Sequence, residues 1–303
     1  MGGQTSSVSV HHPVGFRLTI SLPNTSPLPL SFQERGSRTS TDIAVREGTG
    51  NITRIRPNSP RMEWSDEGTI IGVRCHGESA VILEVMTRDH GRHLGLVRGG
   101  RSSRQQPVLQ PGNLVSLNWR ARLDEHLGEY KVELLTSHAA RLMAQPVALY
   151  GLANVAGLLR LLPERDPHPG LYEGLSVLLA HLDEIAIAPA LMVRFELAML
   201  SELGYGLSLE RCAVTGLRED LTHVSPKSGK AVSRKAAEPY LDRLLRLPPF
   251  LSEGQGARRP APAEIAAGFA LTGFFLRRDL YEPRGLQEPP ERARLLELAA
   301  RIH

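Results

Sequence analysis

From residue 68 to 136 apolar positions recur every second residue, and from about 138 onward they recur with the period of a helix. In "NLVSLNWRA", Val115, Leu117, Trp119 and Ala121 face one way and Ser116, Asn118 and Arg120 the other, which is the pattern of a half-buried strand. "GEYKVELL" repeats it, with Tyr130, Val132 and Leu134 set against Lys131 and Glu133. "GTIIGVRC" and "SAVILEVMT" flank the turn His76-Gly77-Glu78, and "HLGLV" follows a second turn at Asp89-His90-Gly91. Five short strands in about seventy residues suit a small closed barrel. A five-stranded oligonucleotide-binding (OB) barrel has this strand count, and an SH3-like barrel fits the pattern nearly as well.

The rest of the pattern predicts an all-α bundle. "AARLMAQPVALYGLANVAGLLRLLP" is helical in period, with Pro146 at a break or first turn and Pro163 as a stop. "GLYEGLSVLLAHLDE", "ALMVRFELAMLSELGYG", "EPYLDRLLRL", "PAEIAAGFALTGFFLRRDL" and "PPERARLLELAARI" read as further amphipathic helices, with Leu241, Leu244 and Leu245 on one face of the third. In "VRFELAMLSELGY", Phe195, Met199 and Leu203 form a buried stripe. Arg194 and Glu196 then flank that face, with Arg194 placed to receive a carboxylate partner. Residues 207–235 are polar and have no helical period, so they read as a functional loop or a small subdomain. The predicted fold class is α+β: a barrel over 62–137, then a helical domain over 138–303 with a loop subdomain inserted at 207–235.

Residues 1–61 are rich in Ser, Thr and Pro, and Pro23, Pro27 and Pro29 interrupt their apolar positions. That composition lacks the continuous apolar core of a secretory signal and predicts a disordered tail. Ordered-looking sequence begins at "MEWSDEGTIIGV", which makes Met62 the expected initiator and residues 1–61 an over-extended gene reading. The hydrophobic fraction of 41% and charged fraction of 22% are those of an ordinary globular chain. Cys75 and Cys212, the only cysteines, make no disulfide framework and point to a reducing cytoplasm. No apolar run reaches the ~18 residues of a membrane span. The formal net charge is +4, and Lys131, Lys227, Lys230 and Lys235 are the only lysines. The cationic charge is therefore nearly all arginine, which suits bidentate phosphate contacts, although codon bias leaves the same excess.

Candidate chemistry concentrates in two places. "HLGLVRGGRSSRQQP" follows a strand with Arg98, Arg101 and Arg104 at a spacing of three, separated by Gly and Ser. Such a segment can track successive phosphates or be a solvated loop, and it lacks the GxxxxGK[ST] frame of a P-loop. "CAVTG" at Cys212 has the outline of a zinc knuckle, but Thr215 stands where the second cysteine belongs, with Ser233 and Ala236 at the matching downstream positions. His223 can add at most one ligand, so no structural zinc is expected. HExxH, GxSxG and GxGxxG are all missing. His76, His90, His93 and His126 fall at or beside turns, as does the Asp124-Glu125 pair, and these read as solvated turn residues. No catalytic centre and no cofactor are expected.

Together these pieces resemble the RecO family of bacterial DNA-repair recombination mediators over residues 62–303. The resemblance rests on the strand followed by "RGGRSSR", the helix "VRFELAMLSELGYG", and directly after it "LSLERCAVTG" with "VSPKSGKAV" downstream. It implies a non-enzymatic, cytoplasmic, nucleoid-associated protein of the RecF-type pathway. Such a protein binds single- and double-stranded DNA, anneals complementary strands, and works with RecR to load RecA on DNA coated by single-strand-binding protein. It also contacts that binding protein's acidic, apolar C-terminal tail. The resemblance places Arg98, Arg101 and Arg104 as DNA contacts, with Arg120, Arg122 and Lys131 on neighbouring strands as candidates to share them. Family members that hold zinc use four cysteines in the post-helix loop. Here only Cys212 stands, so the resemblance implies the subdomain fold with its metal ligands lost at Thr215, Ser233 and Ala236. The rival reading is an adaptor whose barrel binds protein and whose arginines are solubility charges; a hydrolase is disfavoured by the missing motifs.

Overall fold

The computed structural model describes residues 5–11, 17–23, 62–252 and 259–301. Near the N-terminus, β1 (Thr5–His11) and β2 (Arg17–Pro23) pair antiparallel, from Thr5↔Pro23 to His11↔Arg17. The composition of 1–61 predicts a disordered tail and no strand there, although Leu18, Ile20 and Leu22 alternate with Thr19 and Ser21 over a short run. The remainder of 1–61, and the expected disorder there, lie outside the described residues.

The barrel comprises β3 (Met62–His76), β4 (Ala80–Thr87), β5 (Arg92–Val97), β6 (Leu114–Ala121) and β7 (Glu129–Thr136), closed in the order β3-β4-β5-β7-β6. The long β3 pairs with β6 along its first half and with β4 along its second. Closure comes from one parallel pairing, Leu96↔Glu129 between β5 and β7, where Leu96 N–H also donates to Gly128 O at 3.0 Å. This strand order is the OB arrangement, and it removes every free sheet edge from the barrel. Val115, Leu117 and Trp119 are at most 1% exposed, as the alternation of β6 predicts. Leu134 is exposed instead of inward although it pairs with buried Val115, and the β6–β7 register slips just beyond it, between Leu114 and Val115.

A bulge in β3 between Ile70 and Gly72 joins the two halves of the molecule. Ile70 enters the barrel core, while Ile71, re-aimed by the bulge, enters the helical core. Met86 on β4 joins it there. Beside them Glu84 is held at 2.9 Å by Arg92 of β5 and at 2.9 Å by Arg160 at the end of α2 (Pro146–Leu159). Gly72 leaves room for that pairing: a Cβ there would lie 2.6 Å from Arg160 Nη2 and 2.8 Å from Glu84 Oε2.

Against α2 pack α1 (Ala139–Met143), α4 (Ala188–Glu202) and α7 (Pro290–Ala300), and against α4 pack α3 (Pro169–Ala180) and α6 (Pro262–Phe275). Prolines in the first turns of α2, α3, α4, α6 and α7 start these helices where their missing N–H is harmless. The inserted subdomain is a three-stranded sheet, β8 (Leu221–Val224), β9 (Ala231–Ser233) and β10 (Leu245–Arg246) in the order β10-β8-β9, with the one-turn α5 (Arg234–Ala237) between β9 and β10.

Two local expectations fail. "EPYLDRLLRL" is not an amphipathic helix: a 3₁₀ segment over Glu238–Arg243 gives way to β10, and Leu241 is 53% exposed. The edge of β8 offers backbone partners, so Leu245 pairs with Val224 and Leu247 N–H reaches Thr222 O at 2.9 Å. Among the described residues Arg194 receives no carboxylate; its guanidinium donates to Phe250 O at 2.7 Å. Glu196 does not flank the core but lies inside it, 0% exposed, because α4 is packed by α2, α3 and α6 at once.

Candidate nucleic-acid interface

The basic segment after β5 is compact. Ser102 N–H bonds Gly99 O, Gln105 and Gln106 both bond Ser102 O, and Val108 and Leu109 bond Gln105 O, at 2.9–3.0 Å. Leu109, 3% exposed, plugs the barrel against Val81 and Val97. The wound chain sends its arginines apart instead of lining them up. Arg98 turns to Glu129, with Nε 2.8 Å from Oε1. Arg101 donates to Gly77 O at 3.2 Å and Glu78 O at 2.9 Å, which ties it to the β3–β4 turn. Arg104 is exposed at the loop tip and makes no ion pair among the described residues.

Three of the six candidate residues meet in one place. A groove of about 560 Å³ is lined by Arg98, Arg120 and Arg122, by Leu96, Ala121 and Leu127, and by Glu129. It lies between the exit of β5 and the β6–β7 loop, the loop that OB barrels use for oligonucleotides. Barrel closure builds it: the Leu96↔Glu129 and Arg120↔Glu129 pairings set Glu129 between Arg98 and Arg120. Arg120 Nη2 is 3.6 Å from Glu129 Oε2. The hydrogen bond from Arg98 holds the Glu129 carboxyl below its ordinary range, with Arg120 adding to the effect. Lys131 is exposed on β7 opposite Asn118, outside the groove lining.

The β6–β7 loop has a support that no motif announced. Arg165, between α2 and α3, donates to Asp124 O and, at 2.8 Å, to His126 O, and its guanidinium lies 5.9 Å from the centre of the Trp119 ring. Trp119 Nε1–H in turn bonds Leu127 O at 3.0 Å. Arg165 holds φ +63°, a conformation that costs a non-glycine residue about 1 kcal/mol. Gly128 at φ +65° closes the loop; a Cβ there would sit 2.3 Å from the indole nitrogen. A helical-domain residue therefore fixes the shape of a barrel loop.

Beneath the loop lies an aromatic cluster that corrects one histidine reading. His93 is not a turn residue but an inward residue of β5, 2% exposed, with Nδ1 2.7 Å from Tyr130 Oη. Alternation along "RHLGLV" carries this signal, masked by the adjacent turn. Burial, with Arg165 nearby, lowers the His93 pKa to about 4. His90 stacks on Trp64 at 3.9 Å and sits 3.0 Å from Asp66 Oδ2. His76, His126, Asp124 and Glu125 are exposed.

In the loop subdomain the four knuckle positions converge. Cys212 is 3% exposed; its Sγ receives Thr215 N–H at 3.5 Å and Ser233 N–H at 3.3 Å, and Ala236 packs against the same small core. Burial pushes the thiol up, but the Ser233 and Thr215 hydrogen bonds outweigh it and bring the pKa to about 6. Among the described residues no group of three His, Cys, Asp or Glu side chains is placed to hold a metal ion. Nor is any helix of the described residues long and apolar enough to cross a membrane.

Comparison with known proteins places this geometry in a family. Residues 62–138 match the model "Recombination protein O N terminal", and residues 143–287 match "Recombination protein O C terminal". A protein of Mesorhizobium japonicum named "DNA repair protein RecO" is 59% identical over 242 residues, covering 80% of this chain and 95% of that one. A protein of the same name from Chelativorans sp. is 62% identical over 235 residues, covering 78% and 94%. One from Methylorubrum populi is 59% identical over 241 residues, covering 78% and 98%. With its barrel and helical domain each matched and its relatives spanned almost end to end, the chain belongs to the RecO family.

Proposed function

We propose that this protein acts in DNA repair as a recombination mediator: it binds single- and double-stranded DNA, anneals complementary strands, and with RecR helps load RecA on DNA coated by single-strand-binding protein. The observation that carries the reading is the convergence of Arg98, Arg120 and Arg122 on one groove at the loop end of an OB barrel. Arginines there grip phosphate without reading base edges, so binding is sequence-tolerant and falls steeply with salt. Annealing makes and breaks no covalent bond, so this role asks for no catalytic residue. Arg104 and Lys131, both exposed on the same domain, extend the path beyond the groove. Family membership supports the cytoplasmic setting and the partners.

A second groove suits the tail of single-strand-binding protein. It has a volume of about 470 Å³ and runs between α6 and α7, with Ile265, Phe269, Phe274 and Leu296 on its walls and Arg277 at its rim. An acidic, apolar peptide needs that combination of slot and cation.

The test is a strand-annealing assay on complementary oligonucleotides coated with single-strand-binding protein. The wild type is expected to accelerate annealing, and a variant with Arg98, Arg120 and Arg122 all changed to Ala is expected not to. Equal rates with and without the wild-type protein would overturn the mediator reading. Equal rates for wild type and variant would remove the groove from it.

A further inference from the structure

Glu129 is the one acidic side chain lining the arginine groove, and both of its carboxylate oxygens are engaged, Oε1 by Arg98 and Oε2 by Arg120. It is also the least exposed of the three: its side chain is 29% exposed, against 43% for Arg120 and 76% for Arg98. The carboxylate is thus the more covered partner in both pairs. Counted as formal charges, the groove holds three arginines and one glutamate, three minus one, a net of two positive charges. Arg122, the third arginine, makes no ion pair among the described residues.

We infer that Glu129 is a built-in competitor for phosphate, which must be displaced from Arg98 and Arg120 before these arginines can hold a nucleic-acid backbone. This rests on the groove being the nucleic-acid site and adds how that site is restrained. A guanidinium cannot satisfy a carboxylate and a phosphate with the same N–H pair, so a phosphate that takes the N–H groups Arg98 turns to Glu129 replaces a charged hydrogen bond, and one that takes Arg120 replaces an ion pair at 3.6 Å. The gain on binding is the difference between two similar interactions and stays small. Arg122 carries no such offset. The groove therefore holds a strand through Arg122, which is unpaired among the described residues, and two restrained arginines, and the carboxylate stands ready to take those two back when the strand leaves. Barrel closure makes Glu129 a fixed part of the site, because its backbone pairs with Leu96 and its strand partner is Arg120.

The experiment is fluorescence anisotropy with a labelled oligonucleotide of mixed sequence, single-stranded and duplex, over a series of salt concentrations. It compares the full-length wild type with Glu129→Gln, Glu129→Ala and Arg122→Ala. Removing the charge is expected to tighten binding by roughly two- to fivefold at low salt, the range that exposed ion pairs carry. It also steepens the plot of log affinity against log salt by about 0.7 for single strand and about 0.9 for duplex, one further charge neutralised. Both glutamate variants move the same way, since neither keeps the carboxylate. If wild type binds and Arg122→Ala weakens it, but Glu129→Gln and Glu129→Ala bind no tighter or bind less well, Glu129 orients the arginines instead and the inference falls alone. If Arg122→Ala leaves binding and slope unchanged, the groove is not the site, and this inference falls with the reading beneath it.

Discussion

Glu196 on α4 meets Arg292 of α7 through both oxygens at 2.9 Å, with 1% and 3% of the two side chains exposed. Glu129 on β7 also meets arginine through both oxygens, but its partners Arg98 and Arg120 are 76% and 43% exposed. The chemistry is the same and the surroundings are opposite. Around Glu196, Thr272 Oγ1 and Asn154 Nδ2 complete the hydrogen bonding, and Arg292 makes a further bond to Phe269 O at 2.9 Å. Burial alone would lower the Arg292 pKa, but Glu196 overrides it and holds the guanidinium charged. With both side chains at most 3% exposed, the pair fastens α7 to α4 and α6. At Glu129 the partners are exposed to water, so the pair is weak and exchangeable. Exposure, more than residue type, separates an arginine that holds the fold from one that can hold a ligand.

The sharpest break of this comparison is at the sealed pair. Arg292→Ala leaves an uncompensated carboxylate in the core and is expected to lower stability by about 3–5 kcal/mol. Urea unfolding checks it. Replacing both partners, Arg292→Met with Glu196→Gln, removes the stranded charge and is expected to recover a large part of the loss. A loss for Arg292→Ala no greater than a typical surface change would mean that the pair is not sealed.

Next in size is the buried imidazole under the groove loop. His93 has a folded-state pKa of about 4 against an unfolded 6.5. Below pH 6.5 the unfolded chain takes up a proton that the folded chain refuses until about pH 4. His93 therefore contributes fully to stability only above about pH 6.5, and its contribution falls by about 2 kcal/mol at pH 5 and about 3 kcal/mol near pH 4. His93→Asn removes the titrating group. The wild type is expected to lose more stability than the variant between pH 7.5 and pH 5; parallel losses would place His93 in contact with water.

Both features explain what could and could not be read from the amino-acid order. The inward set of β6 and the helices α2, α3, α4, α6 and α7 follow from local period, so they were legible, whereas the same kind of pattern in "EPYLDRLLRL" misleads. The bulge at Ile71 was not, because two adjacent isoleucines look alike until one core is on each side of β3. Glu196 and Arg292 are ninety-six positions apart, and nothing in either segment marks the partner. The groove falls between these cases. Its arginines stand out in the sequence, but Glu129 joins them only through the barrel-closing pairs with Leu96 and Arg120. Arg165 was invisible for the same reason: it acts from another domain on a loop carbonyl.

Arg165 lies between the two regimes and sharpens the comparison from a third side. Arg165→Gly keeps the left-handed backbone without strain but removes the bonds to Asp124 O and His126 O. Stability is expected to fall by about 1 kcal/mol. Nucleic-acid affinity is expected to fall roughly two- to tenfold through loosening of the β6–β7 loop. Since Arg165 does not line the groove, the salt slope stays at the wild-type value. A reduced slope would make Arg165 a phosphate contact instead of a positioning residue.

The smallest effect is expected where the sequence motif looked strongest. Arg101 occupies the middle of "RGGRSSR", yet its guanidinium is bound to Gly77 O and Glu78 O and it does not line the groove. Arg122 belongs to no motif but lines the groove. Neutralising an arginine that contacts phosphate removes about 0.7 from the salt slope for single strand and about 0.9 for duplex. Arg122→Ala is expected to show that loss and Arg101→Ala close to none, with at most a slight drop in stability from freeing the β3–β4 turn. Anisotropy titrations of the two variants at matched salt concentrations decide between them. Equal slope losses would mean that the β3–β4 turn lies on the nucleic-acid path and that Arg101 releases its carbonyls on binding. In that event hydrogen bonds to backbone carbonyls restrain an exposed arginine no more than Glu129 does, and exposure by itself would be enough to mark a contact.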